Sequence, residues 1–524
     1  MNRRTFTQGL LAGTSYLASK SLLAQIGDSS PTTKKPNLLY VFPDQMRMHA
    51  MGFWKKPGFS HLLRTETDPV VTPNLDQLAE ESVVFTQASS THPLCSPHRA
   101  MLMTGMYPSR NGVEGMNCRS GRKLGIHHDI TCFTDVLSEN GYETAYVGKT
   151  HWERTEPLFD KEFNYVGTTE PPGGHYANEF DTYIPPGPGR HGNKFWYQHI
   201  RDEHFSALSY SNQPDLVGGK EDGQPFLQEQ FAPEVEADVI VQYLENQNGE
   251  REGGKPFSII WSPNPPHNPY FSPDDCEKDI YEKYYEDMPL ADQLYRENVA
   301  EVVNESNKKY DPEKCAAVYY ALVTGIDRQL GRILDALEAS GEADNTIVVF
   351  TADHGEMMGS HGRMGKGVHQ DESFLVPFLI RYPDKLKPSS EDLLIESVDI
   401  MPSILGMMGL GDRIPYTVDG VNYADGLMKN NFNSHPKPKS ALYLSSRSKG
   451  VRTDRYTYVV HGDSGDIELI DNVEDPYQLN RLDPNDIDVA DYELLKSELG
   501  MRLQRAGDAW ADTKRHPELI SYPG

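Results

Sequence analysis

Cys95 and Arg99 stand four residues apart around Pro97, in the stretch Leu94-Cys95-Ser96-Pro97-His98-Arg99-Ala100-Met101-Leu102-Met103-Thr104-Gly105. Proline fixes φ and lacks an N–H, so it suits the first turn of a helix. That puts Cys95 at a helix N-terminus, where backbone N–H groups and the dipole favour an anion. Arg99, one turn on, projects from the same face. A reactive group, a guanidinium and an anion-binding helix end then converge on one spot, an arrangement suited to a tetrahedral oxyanion. Further polar sets follow apolar runs: Asp44 and Gln45 after Asn37–Phe42, Lys149 and His151 after Thr144–Val147, His267 after Phe257–Trp261, and Asp353 and His354 after Thr346–Phe350, with Lys366 shortly beyond. Asp44, Gln45, Asp353 and His354 offer an oxygen-dominated cation site at two strand ends. Hard oxygen donors suit Ca²⁺ or Mg²⁺, and the imidazole of His354 leaves Mn²⁺ open.

The runs between these groups say how they are held. Asn37–Phe42, bounded by Pro36 and Pro43, reads as a strand buried on both faces. Open α/β sheets collect ligands at the carboxyl ends of such strands. Thr72-Pro73 opens a helix with an N-cap threonine, and a strand at Ser82–Phe85 leads towards Cys95. Helices are predicted at Phe133–Asn140, Glu234–Asn246, Cys315–Ser340 and Val398–Gly409. The alternation predicts an α/β fold, a large mixed, mostly parallel sheet between helices. Residues 155–230 are rich in Gly, Pro, aromatics and His with little periodicity, and read as a loop insertion. After about residue 435 short strands at Ala441–Leu444, Lys449–Val451, Tyr456–Val460 and Ile467–Ile470 predict a small antiparallel sheet, closed by a helix near 490–507. The expected division is a catalytic domain over 36–434 and a C-terminal subdomain over 435–524.

Composition narrows the partners. The chain has 524 residues, and 77 acidic against 50 basic side chains give a formal charge of −27. Such acidity argues against nucleic acid. Five cysteines, at 95, 118, 132, 276 and 315, are odd in number and irregularly spaced, which is not a disulfide framework. One bridge among the last four stays open. The N-terminus, Met1-Asn2-Arg3-Arg4-Thr5-Phe6 followed by a mildly apolar run from Leu10 to Leu23, resembles a twin-arginine export signal. The run is too short, and too rich in Gly, Ser and Thr, for a transmembrane anchor. Cleavage near Ala24 would leave a signal peptide at 1–24, a linker at 25–35, and a periplasmic or secreted protein.

Cys-x-Pro-x-Arg followed by Thr-Gly resembles the signature of the type I, formylglycine-dependent sulfatases of the alkaline-phosphatase-like superfamily. Matching pieces at Thr72–Phe85, Tyr107–Val113, Val398–Pro402 and Val451–Tyr456 extend the resemblance over about 36–482. The resemblance implies that a maturation enzyme oxidises Cys95 to formylglycine (3-oxoalanine). It also implies that this residue joins Asp44, Gln45, Asp353 and His354 at a metal, by similarity Ca²⁺. One hydroxyl of the hydrated aldehyde would attack sulfur, and the other would later expel sulfate. By the same resemblance Arg99 and Lys149 would hold the formylglycine, and His151 would take the second hydroxyl's proton. His267 would protonate the leaving oxygen, Lys366 would bind the sulfate, and Asp353 would serve as ligand and base. Four positions depart from the family pattern: Gln45 for a second Asp, His98 for Ser, Met106 for a basic residue, and Leu375 for Arg.

The signature does not choose the substrate. Candidate contacts are His175, Tyr176, Arg190, His191, Lys194 and Trp196, with His361, Arg363 and His369. Aromatics there would stack on a sugar, and cations would pair with a uronate or second sulfate. Export suits an extracellular sulfated polysaccharide or oligosaccharide, with aryl or choline sulfate as alternatives. A phosphonate monoester or phosphodiester hydrolase shares the motif. A silent glycan-binding protein would be expected to lack Cys95, Arg99 or His267, and all three are present.

Overall fold

The strand ends that carry these groups belong to one ten-stranded sheet in the computed structural model, which describes residues 34–117, 124–154, 181–200, 202–300, 312–429, 432–462 and 464–511. Its strands in chain order are β1 (Asn37–Val41), β2 (Val83–Phe85), β3 (Glu143–Lys149), β4 (Phe195–His199), β5 (Ala207–Ser211), β6 (Phe226–Gln228), β7 (Phe257–Ser262), β8 (Thr346–Thr351), β9 (Phe378–Arg381) and β10 (Ser389–Glu391). Across the sheet they run β10-β2-β9-β8-β1-β7-β3-β4-β5-β6. The five neighbours β8, β1, β7, β3 and β4 are parallel, with Leu39 opposite both Ile259 and Val348. Every residue of β1, β7 and β8 is buried. That is why these strands read as unbroken apolar runs rather than alternating ones.

Seven helices concern the site: α1 (Pro73–Glu80), α2 (Cys95–Thr104), α3 (Phe133–Glu139), α4 (Ala232–Glu245), α5 (Pro312–Ala339), α6 (Ser397–Met407) and α7 (Val489–Arg505). Helix α5 packs on α1 and α4, and α2 packs on α6. Thr72 does not cap α1 as the sequence suggested; its hydroxyl accepts from the Gly52 N–H and donates to Asp76. The cap comes from α5. Asp327 Oδ1 accepts from the Leu75 N–H at 2.7 Å, and Oδ2 from the Asn74 N–H at 3.2 Å and its side-chain Nδ2 at 2.9 Å. Asp327→Ala is expected to cost about 1–2 kcal/mol, the usual size for a lost cap that orphans buried donors. A shift of the urea midpoint with unchanged turnover in the folded fraction checks this.

The loop insertion expected over 155–230 is corrected in part. Residues 155–180 lie outside the described residues, but β4, β5 and β6 extend the sheet. All five residues of β4 are buried and Phe195-Trp196-Tyr197 run without the period-2 alternation that would have revealed it, whereas β5, Ala207-Leu208-Ser209-Tyr210-Ser211, does alternate but is only five residues long.

The C-terminal strands β11 (Ala441–Leu444), β12 (Ser448–Arg452), β13 (Tyr456–His461) and β14 (Ile467–Asp471) form an antiparallel meander. Leu442, Val451, Tyr458 and Leu469 pack with Leu495 and Leu499 of α7, and this cluster also takes in Met101, Tyr107 and Val398. The small sheet therefore buttresses the back of α2, the helix that begins at Cys95. The described residues from Pro36 onward form one compact unit. The segment read as a signal peptide lies outside the described residues, as does Cys118; Cys95, Cys132, Cys276 and Cys315 are not in disulfides among the described residues. No described helix is long and apolar enough to cross a membrane.

Candidate active site

Four neighbouring parallel strands, β8, β1, β7 and β3, end at one place, and each delivers a polar group there. Two glycines make the approach close enough. A Cβ on Gly148, at φ +111°, would lie 2.1 Å from the Ser262 carbonyl oxygen, so only glycine lets β3 bring Lys149 against β7. A Cβ on Gly355 would lie 1.9 Å from the Glu372 carbonyl oxygen. Asp353-His354-Gly355 can therefore make its turn after β8 only with glycine third.

Cys95 is the first residue of α2, and its cap residue Leu94 offers no side-chain acceptor to the first turn. Its Sγ lies 3.2 Å from His354 Nε2, 3.6 Å from Asp44 Oδ1 and 3.1 Å from Lys366 Nζ. Arg99, fully buried one turn later, donates through Nε to Asp353 at 3.2 Å and through Nη2 to Asp44 at 3.1 Å. Its Nη1 reaches the Lys149 carbonyl at 2.9 Å and Ser262 Oγ at 2.6 Å. Lys149 Nζ lies 2.9 Å from Asp44 Oδ2 and donates to Asn264 Oδ1 at 3.0 Å. The main-chain N–H of Gln45 donates to Asp353 Oδ1 at 2.9 Å, and Lys366 Nζ donates to Gln45 Oε1 at 2.6 Å.

Three cations thus surround two buried carboxylates. Against burial, which alone would raise it, Lys149, Lys366 and Arg99 hold Asp44 well below the usual carboxylate range. Burial and the neighbouring Asp44 push Asp353 up to about 6. Burial, with Asp44 adding to it, pushes the Cys95 thiol up to about 11, so the unmodified side chain is a protonated thiol at neutral pH. Burial, then Lys149 and Arg99, hold His151 well below the imidazole range. Both His151 ring nitrogens are buried without a hydrogen-bond partner, and its main-chain N–H is held by Asp181 at 3.2 Å. His267 sits in the Pro266–Pro269 segment after β7, and its Nδ1 faces the Asn268 carbonyl at 2.9 Å.

The donor set fits a hard divalent cation. One ligand atom each from Asp44, Cys95, Asp353 and His354 lie within 4.8 Å of one another. His354 Nδ1 lies 3.0 Å from the Gly355 carbonyl, so Nδ1 carries the proton and Nε2 turns its lone pair to the cluster. Nε2 is 3.6 Å from Asp44 Oδ1 and 3.5 Å from Asp353 Oδ1. The amide oxygen of Gln45 faces the same side, where the Lys366 ammonium now holds it.

The substrate contacts suggested by composition scatter. Trp196 is fully buried in β4, stacked on Tyr146 at 5.5 Å, and reaches no surface. Arg190 lies over its ring at 5.0 Å and is held by both oxygens of Asp222 at 2.9 and 2.8 Å. His191 is buried, with Nδ1 3.4 Å from Asp135. Lys194 pairs with Glu143 at 3.5 Å, at the amino end of β3 and β4, opposite the end that carries Lys149. Trp196, Arg190 and His191 are packed in the interior, and Lys194 is exposed at the far end of its strand. His175 and Tyr176 lie outside the described residues. His369 is buried 3.3 Å from Glu468, His361 is half-buried against Asn298, and Arg363 alone of the three is exposed. Among the departures, His98 is buried with Nδ1 between Ser90 and Ser397, and Met106 and Leu375 are buried in the packing around α2 and β2.

Several site residues escaped the sequence reading. Asn264 lies between β7 and His267, and Glu356 three residues after Asp353; a search for polar residues around each strand end would have found both. Ser262, the last residue of β7, would have come out of the same search, whereas Asp181 and Asp202 carry no local signal. Asp202 lies 3.7 Å from Lys149 Nζ and 3.9 Å from His267 Nδ1 only through tertiary packing.

The Sulfatase family model matches residues 36–410, and the model for the N-sulphoglucosamine sulphohydrolase C-terminal region matches 359–507. The chain is 38% identical over 512 residues to an endo-4-O-sulfatase of Bacteroides thetaiotaomicron, covering 93% of this chain and 95% of that one. It is 30% identical over 491 residues to an ulvan-active sulfatase of Formosa agariphila, covering 90% and 81%. A solved structure from work on the metabolism of multiple glycosaminoglycans by Bacteroides thetaiotaomicron superposes with a TM-score of 0.83 at 37% identity, over 93% of this chain and all of the other.

Proposed function

The chain belongs to the sulfatase family and hydrolyses sulfate esters, and on that premise we propose that it removes sulfate from an extracellular polysaccharide or oligosaccharide, using a formylglycine made from Cys95 and a divalent cation, Ca²⁺ by preference. The observation that carries this reading is the place of Cys95 Sγ, within 3.6 Å of Asp44, His354 and Lys366 at the start of a helix. The sulfur marks where an oxygen of the hydrated aldehyde would stand.

Asp44, Gln45, Asp353 and His354 would hold the cation, which supplies Lewis acidity towards a sulfuryl oxygen and the nucleophile's oxygen. Arg99 is locked by four hydrogen bonds and holds the carboxylates in register, so their geometry is set before substrate arrives. Lys149 and Lys366 flank the Cys95 side chain and would bind the ester's negative charge. His151, neutral and without a ring partner, is available to take a proton from the hydroxyl that later expels sulfate. His267 donates from Nδ1 to a carbonyl, which leaves Nε2 to exchange a proton with the leaving oxygen. Burial, then Lys366 and Lys149, keep the free ring neutral; a sulfate ester bound between those lysines acts in the opposite sense and favours its protonation.

The twin-arginine-like leader supports a place beyond the cytoplasmic membrane, with Cys95 oxidised by a maturation enzyme before export. The endo-4-O-sulfatase relative makes a 4-O-sulfated saccharide the first substrate to try. Release of inorganic sulfate from a panel of defined sulfated oligosaccharides tests the reading. A protein that turns over phosphonate monoesters or phosphodiesters and none of the sulfated saccharides would contradict it.

The role of His267 has its own test. A sugar hydroxyl leaves badly without a proton, whereas nitrophenolate leaves well. His267→Ala is expected to lower kcat/KM roughly 10²–10⁴-fold on a sugar sulfate, and clearly less on p-nitrophenyl sulfate. Equal losses would make His267 a substrate-positioning group and move the acid to Lys366.

A further inference from the structure

We propose that Glu356 is a positioning residue that fixes the side-chain amide of Gln45 with its oxygen towards the cation site, an inference that rests on the metal reading above. An amide offers an oxygen acceptor on one side and an N–H₂ donor on the other. Only the oxygen can ligate a hard cation. A glutamine where an aspartate would present oxygen either way therefore needs something to set its orientation.

Glu356 supplies that setting. It is fully buried, and its carboxylate is filled by donors from four directions. Oε1 accepts from the main-chain N–H groups of Met358 at 2.9 Å and Gly365 at 2.7 Å. Oε2 accepts from the Tyr270 hydroxyl at 3.1 Å and from Gln45 Nε2. A carboxylate so placed accepts and does not donate. The nitrogen of Gln45 must face it, and the oxygen must face Lys366 Nζ, 2.6 Å away. The main chain of Gln45 is held independently: it sits at φ +65°, its N–H donates to Asp353, and its carbonyl accepts from the Tyr319 hydroxyl at 2.8 Å. With the backbone clamped and the amide nitrogen anchored, the oxygen has one place to be.

The pair also redistributes charge. An aspartate at position 45 would put the second negative charge in the ligand shell. Here the shell receives a neutral oxygen, and the charge stands one residue further out, on Glu356. Gln45 and Glu356 are then one unit, and neither should tolerate change alone.

The test is Ca²⁺ binding to the full-length, metal-stripped protein by calorimetry, which needs no turnover. Glu356→Gln lets the amide of Gln45 turn either way and is expected to weaken Ca²⁺ binding about 10–100-fold, the usual effect of losing a group that orients a ligand. Gln45→Glu alone sets two buried carboxylates against each other and should also bind more weakly than the swap. The exchange Q45E/E356Q keeps one carboxylate and one amide of unchanged shape, and should bind Ca²⁺ at least tenfold more tightly than E356Q. If Glu356 only braces the Met358–Gly365 loop, E356Q lowers the Tm of the metal-free protein while its Kd stays within twofold of wild type, and the proposal falls. A swap no tighter than E356Q also overturns it. Should E356Q not fold, the swap is compared with wild type directly: binding within tenfold supports the pairing, and no binding overturns it. A wild-type protein that binds none of Ca²⁺, Mg²⁺ or Mn²⁺ would overturn the metal reading itself, a result distinct from wild-type binding that E356Q leaves unchanged.

Discussion

Cys95→Ala is expected to lower kcat by roughly 10⁴–10⁶-fold, the range seen when a covalent nucleophile is removed from an otherwise intact site. The fold should survive. Cys95 is fully buried at the first position of α2, and the helix is held from behind by Met101, Tyr107 and Val398 against the small sheet. Losing one buried sulfur there costs about 1 kcal/mol, and Asp44, Arg99 and Lys149 keep one another. The variant should therefore bind a sulfated oligosaccharide and fail to release sulfate. A variant that keeps a tenth of wild-type kcat would remove Cys95 from the chemistry.

Asp353→Asn carries the second large effect. The carboxylate accepts from Gln45 and His354 main-chain N–H groups through Oδ1 and from Arg99 through Oδ2. The amide keeps its volume but removes half of the anionic charge that Asp44 and Asp353 offer to Arg99 and to a cation. It also turns an N–H₂ either towards Arg99 or towards two N–H donors. Loss of metal and of several kcal/mol of charge stabilisation predicts a fall in kcat/KM on the order of 10³-fold or more. Exhaustive chelation of the wild type should fall as far and recover on adding Ca²⁺. Full activity after verified metal removal would contradict the metal site, and an Asp353→Asn protein with normal Ca²⁺ affinity would remove Asp353 from it.

How much of this was legible in the sequence depended on whether a residue acts where the chain places it. Asp44, Lys149, His267 and Asp353 each follow an apolar run, and β1, β3, β7 and β8 are neighbours, so reading strand ends picked out groups that the fold brings together. Cys95 and Arg99 share one helix turn and needed only helical spacing. Asp181 and Asp202 act through contacts between segments far apart in sequence, and nothing near them announces a site. The errors have the same origin. Arg190, His191 and Trp196 have the composition of a sugar-binding loop, yet all three are buried, β4 is an inner strand and Trp196 lies in its core against Tyr146. Aromatic and basic residues read alike whether they meet a ligand or each other. Thr72 looked like a cap by position, but Asp327, over 250 residues on, reaches the same N–H groups with a carboxylate.

The most direct measurement is the mass of the proteolytic peptide carrying Cys95, taken from natively produced protein whose sulfate release has been measured on the same sample. Conversion of the thiol to an aldehyde predicts a peptide about 18 Da lighter than the sequence gives, in a fraction that tracks specific activity across preparations. Only the unmodified thiol, in protein that turns over sulfate ester at full rate, would contradict a formylglycine nucleophile at Cys95.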